Sequence, residues 1–128
     1  MARKRSQTLT EAELRLMDVL WQKGRATVAE VTSALPPPPI AYNSVLTTMR
    51  ILEQKGYVRH EEEGRAFVYS PLIAKEEASS SAVRQVVEKF FDASPGALAL
   101  KLVENKELDR DEIARLKALI DAYEEDRR

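Results

Sequence analysis

Residues 42–69 read YNSVLTTMRILEQKGYVRHEEEGRAFVY, and this stretch decides the fold. Its first half places three apolar side chains at helical spacing: Val45, Met49 and Leu52. Gly56 then supplies the left-handed residue that ends a helix. Beyond it the apolar period changes from 3.6 to 2 in two short runs, 57–61 and 65–69, separated by the loop 62–64. A helix followed directly by a β-hairpin is therefore predicted.

Two shorter helices are predicted upstream, each opened by a capping box in which a threonine and a glutamate satisfy each other's backbone N–H groups. The boxes are Thr10-Glu11-Ala12-Glu13 and Thr27-Val28-Ala29-Glu30. The apolar residues that follow at helical spacing are Leu14, Met17, Leu20 and Trp21, then Val28, Val31 and Leu35. The proline run 36–39 ends the second helix, because proline has no N–H to donate. This run is typical of a stiff connector, with a polyproline ligand for a partner domain as the alternative.

Three helices followed by a two-stranded wing make a winged helix-turn-helix, predicted over residues 1–72. Residues 73–128 predict three further helices: one over about 74–91, one opened by Ser94-Pro95, and one opened by Asp109. The predicted fold class is therefore mainly α, with a winged DNA-binding domain and a helical dimerisation region.

The third helix carries an unusual polar face. Asn43, Thr47 and Arg50 follow one another at i, i+4 and i+7, with Tyr42 and Ser44 beside them. Only one of these five side chains is charged, whereas a solvated helix face favours Glu and Lys. Small polar side chains with one arginine suit contact with base edges and phosphates in the major groove. The predicted DNA-binding residues are Thr27, Tyr42, Asn43, Ser44, Thr47, Arg50 and Arg65.

The composition argues against an enzyme, a cofactor or a metal site. The 128 residues contain no cysteine and one histidine, so thiol chemistry and cysteine-based metal sensing are excluded. His60 alternates within a predicted strand and has a structural or solvent-facing role in this interpretation. No glycine-rich phosphate loop or nucleophile motif is present. Neither a secretory signal nor an apolar run of about 18 residues occurs, so we expect a cytoplasmic protein without membrane insertion.

Charge and apolar patterning assign different tasks to the two ends. Residues 1–75 contain 11 Lys or Arg and 8 Asp or Glu, whereas residues 76–128 contain 9 and 13. The tail helices are too few for a substantial core of their own, which favours pairing with a second copy. A two-fold dimer would present two recognition helices to a palindrome. The alternative is that the tail folds back on its own winged domain. The predicted dimerisation residues are Val86, Phe90, Leu98, Leu102, Leu116 and Ile120.

Several motifs together resemble the BlaI/MecI (penicillinase repressor) family over nearly the whole chain. They are Leu9-Thr10-Glu11-Ala12-Glu13-Leu14 with Met17 and Trp21, Thr27-Val28-Ala29-Glu30-Val31, Ala41-Tyr42-Asn43-Ser44-Val45, Lys55-Gly56-Tyr57-Val58, and, in the tail, 98–103 and Leu108-Asp109-Arg110-Asp111-Glu112-Ile113. The resemblance implies homodimers that sit on palindromic operators and repress genes for β-lactamase or penicillin-binding proteins.

The resemblance also implies how repression ends. A membrane sensor metalloprotease acts in such systems, and the repressor is cut within its dimerisation region. Some members are cut at an Asn-Phe bond, and the corresponding pair here, the candidate cleavage site, is Lys101-Leu102. The peptide bond at this position therefore joins other residues than the Asn-Phe bond that is cut in those members.

The predicted function is a homodimeric repressor of a palindromic operator, relieved by a sensor-triggered signal, with double-stranded DNA and a second copy as partners. The alternative is a winged-helix module that binds proteins and not DNA. That alternative is favoured by the acidic run 61–63 in the wing and by a net charge of −1.

Overall fold

The computed structural model describes residues 8–127. Its elements, in chain order, are α1 (Glu11–Lys23), β1 (Ala26–Thr27), α2 (Val28–Ala34), α3 (Tyr42–Lys55), β2 (Val58–Glu63), β3 (Ala66–Pro71), α4 (Lys75–Phe90), α5 (Pro95–Glu104) and α6 (Arg110–Asp126). The strands form one antiparallel sheet in the order β1-β3-β2. The chain divides into two compact units, residues 1–85 and 86–128. The mainly helical winged fold predicted from the sequence is confirmed.

The sheet differs from the predicted hairpin in two respects. First, β1 adds a third strand by pairing Ala26 with Tyr69 and Thr27 with Val68. Second, the strands extend closer to the turn, where Glu63 pairs with Ala66. Gly64, at φ +62°, and Arg65 alone form the turn. The hairpin is therefore tighter than the predicted loop 62–64.

The core of the first unit draws on every element from α1 to β3. Its buried residues are Leu16, Met17, Val19, Leu20, Ala26, Val28, Val31, Val45, Met49, Leu52, Tyr57, Val58, Tyr69 and Ile73. Val45, Met49 and Leu52 are fully buried, as their spacing predicts. Leu14, in contrast, is 42% exposed, although it recurs at helical spacing with Met17 and Leu20.

Leu14 is exposed because Glu13 lies on the buried face of α1 instead. Residues 13, 16, 17 and 20 form that face at helical spacing, and all four are buried. The Glu13 carboxylate accepts from the backbone N–H of Thr10 (2.8 Å) and from Nζ of Lys55 (2.8 Å). The capping box predicted at Thr10 is formed. A buried ion pair thus joins the start of α1 to the end of α3.

The connector between α2 and α3 is held against α1. The Arg15 guanidinium donates to the backbone carbonyls of Pro36 and Pro38, at 2.5 Å each. These contacts fit the predicted role of a stiff connector. A polyproline ligand remains the alternative.

Trp21 ties α1 to the segment between β3 and α4. Its indole N–H donates to the carbonyl of Ile73 (2.9 Å), and Nζ of Lys75 lies 6.0 Å from its ring centroid. Because Ile73 is buried in the core, the first unit continues past the hairpin. The predicted domain boundary after residue 72 stays a prediction.

The second unit consists of the end of α4 and the helices α5 and α6. The Ser94 side chain accepts from the N–H of Ala97 (3.1 Å) and Pro95 follows at the first helical position, as the sequence predicts. Asp109 opens α6 with a complete capping box. Neither α5 nor α6 contains a buried residue. Their apolar side chains are therefore available to a partner.

The Glu13–Lys55 pair gives a stability prediction. Replacing Lys55 with Met leaves a buried carboxylate without its cation, because the side chain of Glu13 is only 6% exposed. We expect the free energy of unfolding, measured by urea denaturation, to fall by about 2–3 kcal/mol. The control is Lys75→Met, which removes an exposed ion pair with Asp18 (3.7 Å) and should cost less than about 1 kcal/mol. Equal losses of unfolding free energy in Lys55→Met and Lys75→Met would contradict the assignment of a stabilising buried pair to Glu13 and Lys55.

Candidate nucleic-acid interface

Helix α3 presents opposite faces to the core and to solvent. It begins at Tyr42 after the extended residue Ala41 and ends at Gly56, whose φ of +88° is the left-handed conformation predicted for it. Five of the predicted DNA-binding residues lie on its exposed side: Tyr42, Asn43, Ser44, Thr47 and Arg50. The face predicted to contact DNA is therefore accessible over its whole length.

A groove of about 290 Å³ lies between α3, the start of α2 and the wing formed by β2 and β3. It brings together four of the seven predicted residues: Thr27, Tyr42, Arg50 and Arg65. Its apolar lining includes Val28, Leu46 and Phe67. Asn43, Ser44 and Thr47 are not part of its lining and lie on the exposed side of α3. Two guanidinium groups thus share one groove beside the polar face.

The hydroxyl groups in the interface are already oriented by the backbone. Oγ1 of Thr47 donates to the carbonyl of Asn43 (3.0 Å), so its lone pairs face outward. Such an oxygen can accept from the amino groups that adenine and cytosine expose in the major groove. Oγ1 of Thr27 instead accepts from the N–H of Glu30 (3.1 Å). The Glu30 carboxylate in turn accepts from the backbone N–H of Thr27 (2.8 Å), and this bond, followed by the hydrogen bond of the Thr27 side chain, lowers the pKa of Glu30.

The acidic run in the wing is largely compensated by arginines. Glu61 pairs with Arg59 (3.3 Å) and Glu63 pairs with Arg25. The hydrogen bond and charge of Glu63 raise the pKa of Arg25. Among the described residues, neither Arg50 nor Arg65 has a hydrogen-bonded or ion-paired partner. Positive charge is therefore free on the groove side of the wing, although the sequence places three glutamates beside it.

The only histidine of the sequence links the wing to α3. Nδ1 of His60 lies 2.7 Å from a carboxylate oxygen of Glu53 on α3. Its ring packs on Phe67 (4.7 Å between centroids) and Tyr69 (5.3 Å). Burial, and after it the charge of Glu53, raises the pKa of the Tyr69 phenol. This arrangement supports the structural role inferred for His60 from the sequence.

Sequence reasoning missed Arg25. Its position at the rim of the interface depends on β1, a strand of two residues that shows no periodicity. No sequence signal would have placed it beside the wing.

Comparison with known proteins decides the family. The family model of the penicillinase repressors matches residues 9–122. The chain belongs to the penicillinase repressor family. The penicillinase repressor of Bacillus licheniformis is 26% identical over 121 residues, which cover 94% of each protein. The predicted resemblance is therefore confirmed.

Solved structures support the same assignment. The DNA-binding domain of the repressor BlaI superposes with a TM-score of 0.52 at 31% identity and covers 59% of this chain and 93% of its own. A MarR mutant of E. coli complexed with operator DNA gives a TM-score of 0.50 at 17% identity, covering 90% and 75% respectively, which shows a common fold. Membership of the penicillinase repressor family makes the chain a DNA-binding transcriptional repressor and not an enzyme.

In residues 8–127, no group of three or more His, Cys, Asp or Glu side chains is placed to hold a metal ion. Within the same range, every helix is too short or too polar to cross a bilayer.

Proposed function

We propose that this penicillinase repressor homologue acts as a homodimer on a palindromic operator and inserts α3 into the major groove. The observation that carries the proposal is the exposed face of Asn43, Thr47 and Arg50, which holds one charge and is backed by fully buried residues on the other side of the helix. A helix of 14 residues is about 21 Å long, which suffices to lie in a groove about 12 Å wide.

Each interface residue has a role that its chemistry supports. The amide of Asn43 can bind adenine through two hydrogen bonds, and the guanidinium of Arg50 can bind guanine in the same way. Thr47 offers an acceptor, and Ser44 and Tyr42 flank it. Thr27 and Arg65 are assigned to the DNA backbone, where they fix position without reading sequence.

The apolar faces of the tail support a homodimer. Three of the predicted dimerisation residues are strongly exposed in the single chain: Phe90 (77%), Ile120 (50%) and Leu102 (42%). Val86 is also exposed, and Leu98 and Leu116 are half-buried. Further apolar side chains extend the surface: Leu100, Val103, Leu119 and Tyr123. Large apolar side chains exposed in this number are typical of an interface, and a second copy would cover them symmetrically.

Relief of repression by a sensor metalloprotease, with cleavage of the tail, is the regulatory part of the proposal. Lys101 and Leu102 are exposed but lie inside α5. A protease binds its substrate as an extended strand, so α5 would have to unwind locally before cleavage. The cytoplasmic location remains a prediction.

The alternative of a protein-binding winged module has lost part of its support. It was favoured by the acidic wing and by the net charge of −1, and two of the three glutamates in the wing pair with Arg25 and Arg59. Operator binding is therefore the function that the interface supports best.

Base reading and backbone contact can be separated with two variants. Arg50→Ala should weaken binding to an operator from the region upstream of its own gene by roughly 1–3 kcal/mol, and should weaken binding to random duplex less. Arg65→Gln, the control, should weaken both by the same factor and reduce the salt slope by about one. Fluorescence anisotropy at several salt concentrations measures both effects. Equal losses on both duplexes for Arg50→Ala would exclude it as a specificity contact.

The dimer interface can be tested with a buried charge. Ile120→Glu should raise the monomer–dimer Kd roughly 100-fold or more, because it buries a carboxylate without a partner. Ala118→Glu adds the same charge on the opposite side of α6 and should leave the Kd nearly unchanged. Analytical ultracentrifugation measures the Kd. A dimer that survives Ile120→Glu unchanged, or a wild-type monomer, would refute the proposed interface.

A further inference from the structure

The ion pair between Arg25 and Glu63 lies at the rim of the groove. Arg25 lies in the bend directly before β1, two residues ahead of Thr27. Thr27 lines the groove, and so does Ala66, the cross-strand partner of Glu63. Both members of the pair therefore flank residues of the groove wall.

The pair is exposed and surrounded by negative charge. The side chains of Arg25 and Glu63 are 52% and 53% exposed. The charges of Glu61 and Glu30 also act on Arg25. Ion pairs of this exposure contribute little to stability. An incoming anion can therefore replace Glu63 without unfolding any element.

A DNA phosphate is a stronger partner for a guanidinium than a solvated surface carboxylate. Two of its oxygens can accept the paired N–H groups of arginine, and binding releases condensed counterions from the duplex. The groove next to the pair is where the backbone would run if α3 enters the major groove. Phosphate and Glu63 would then compete for the same guanidinium.

We propose that Arg25 is a further phosphate-binding residue and that Glu63 competes with the phosphate for its guanidinium. Arg25 then contacts the DNA backbone only after the Arg25–Glu63 ion pair has broken. This proposal rests on the proposed DNA-binding function. In every complex, the affinity gained at Arg25 is reduced by the cost of breaking the pair. Glu63 thereby limits binding to duplexes of any sequence.

The neighbouring glutamate provides a matched control. Glu62 carries the same charge one residue away, but the glutamates whose charge acts on Arg25 are Glu63, Glu61 and Glu30. Glu62→Gln and Glu63→Gln remove the same charge from the wing, and only the second frees Arg25. A difference in DNA affinity between the two variants is therefore due to the Arg25–Glu63 pair and not to the change in net charge.

The experiment measures the affinity of the full-length protein for a random duplex at low salt. Glu63→Gln should bind about tenfold more tightly than wild type, because a charge-assisted contact no longer has a competitor. Glu62→Gln should gain about twofold, from long-range electrostatics alone. The excess gain should vanish in the double variant Arg25→Gln/Glu63→Gln. That variant should also show a salt slope shallower by about one than Glu63→Gln.

Three outcomes would overturn the proposal. Equal gains for Glu62→Gln and Glu63→Gln would reduce the effect to net charge. A gain for Glu63→Gln that persists without Arg25 would assign it to another residue. A wild-type protein that binds no duplex at all would refute the proposed function as well, whereas the first two outcomes leave that function intact. Thermal unfolding of each variant should match wild type, since the pair is exposed.

Discussion

The burial of one face of α3 is the constraint on which the interface depends. Val45, Met49 and Leu52 are fully buried, so the helix cannot rotate about its axis without exposing them. Residues three and four apart share a face of a helix, so this fixed orientation places Asn43, Thr47 and Arg50 on the opposite side. The hydrophobic core thus determines which side chains α3 presents to solvent. The Glu13–Lys55 pair secures the last turn of the same helix.

The wing is attached to the first unit both by the core residues Val58 and Tyr69 and by polar contacts. Nδ1 of His60 lies within hydrogen-bond distance of the Glu53 carboxylate on α3, and the His60 ring packs against Phe67 and Tyr69. On the other side, Glu63 reaches Arg25 ahead of β1. The proposed backbone contacts of the wing and the proposed base contacts of α3 thus lie on different elements.

Local signals were sufficient to predict most of the fold. Capping boxes, Gly56 and the change of apolar period depend on neighbouring residues, and they located the helices and the hairpin. Three features depend on distant partners and escaped prediction. Strand β1 exists because it pairs with β3, Leu14 is exposed because Lys55 stabilises Glu13 on the buried face, and Arg25 reaches the interface only through that strand. Likewise, the five polar residues of α3 were predictable from helical spacing, whereas the groove that collects Arg50 and Arg65 requires the folded wing.

The central claim is that the polar face of α3 occupies the major groove of both half-sites of an operator. Methylation interference tests it directly, because dimethyl sulfate modifies guanine N7 in the major groove and adenine N3 in the minor groove. If α3 of each protomer lies in the major groove, guanine N7 methylation should block binding in two clusters whose centres lie about one helical turn, or a multiple of it, apart. Interference confined to adenine N3, or a single cluster of guanines, would contradict it.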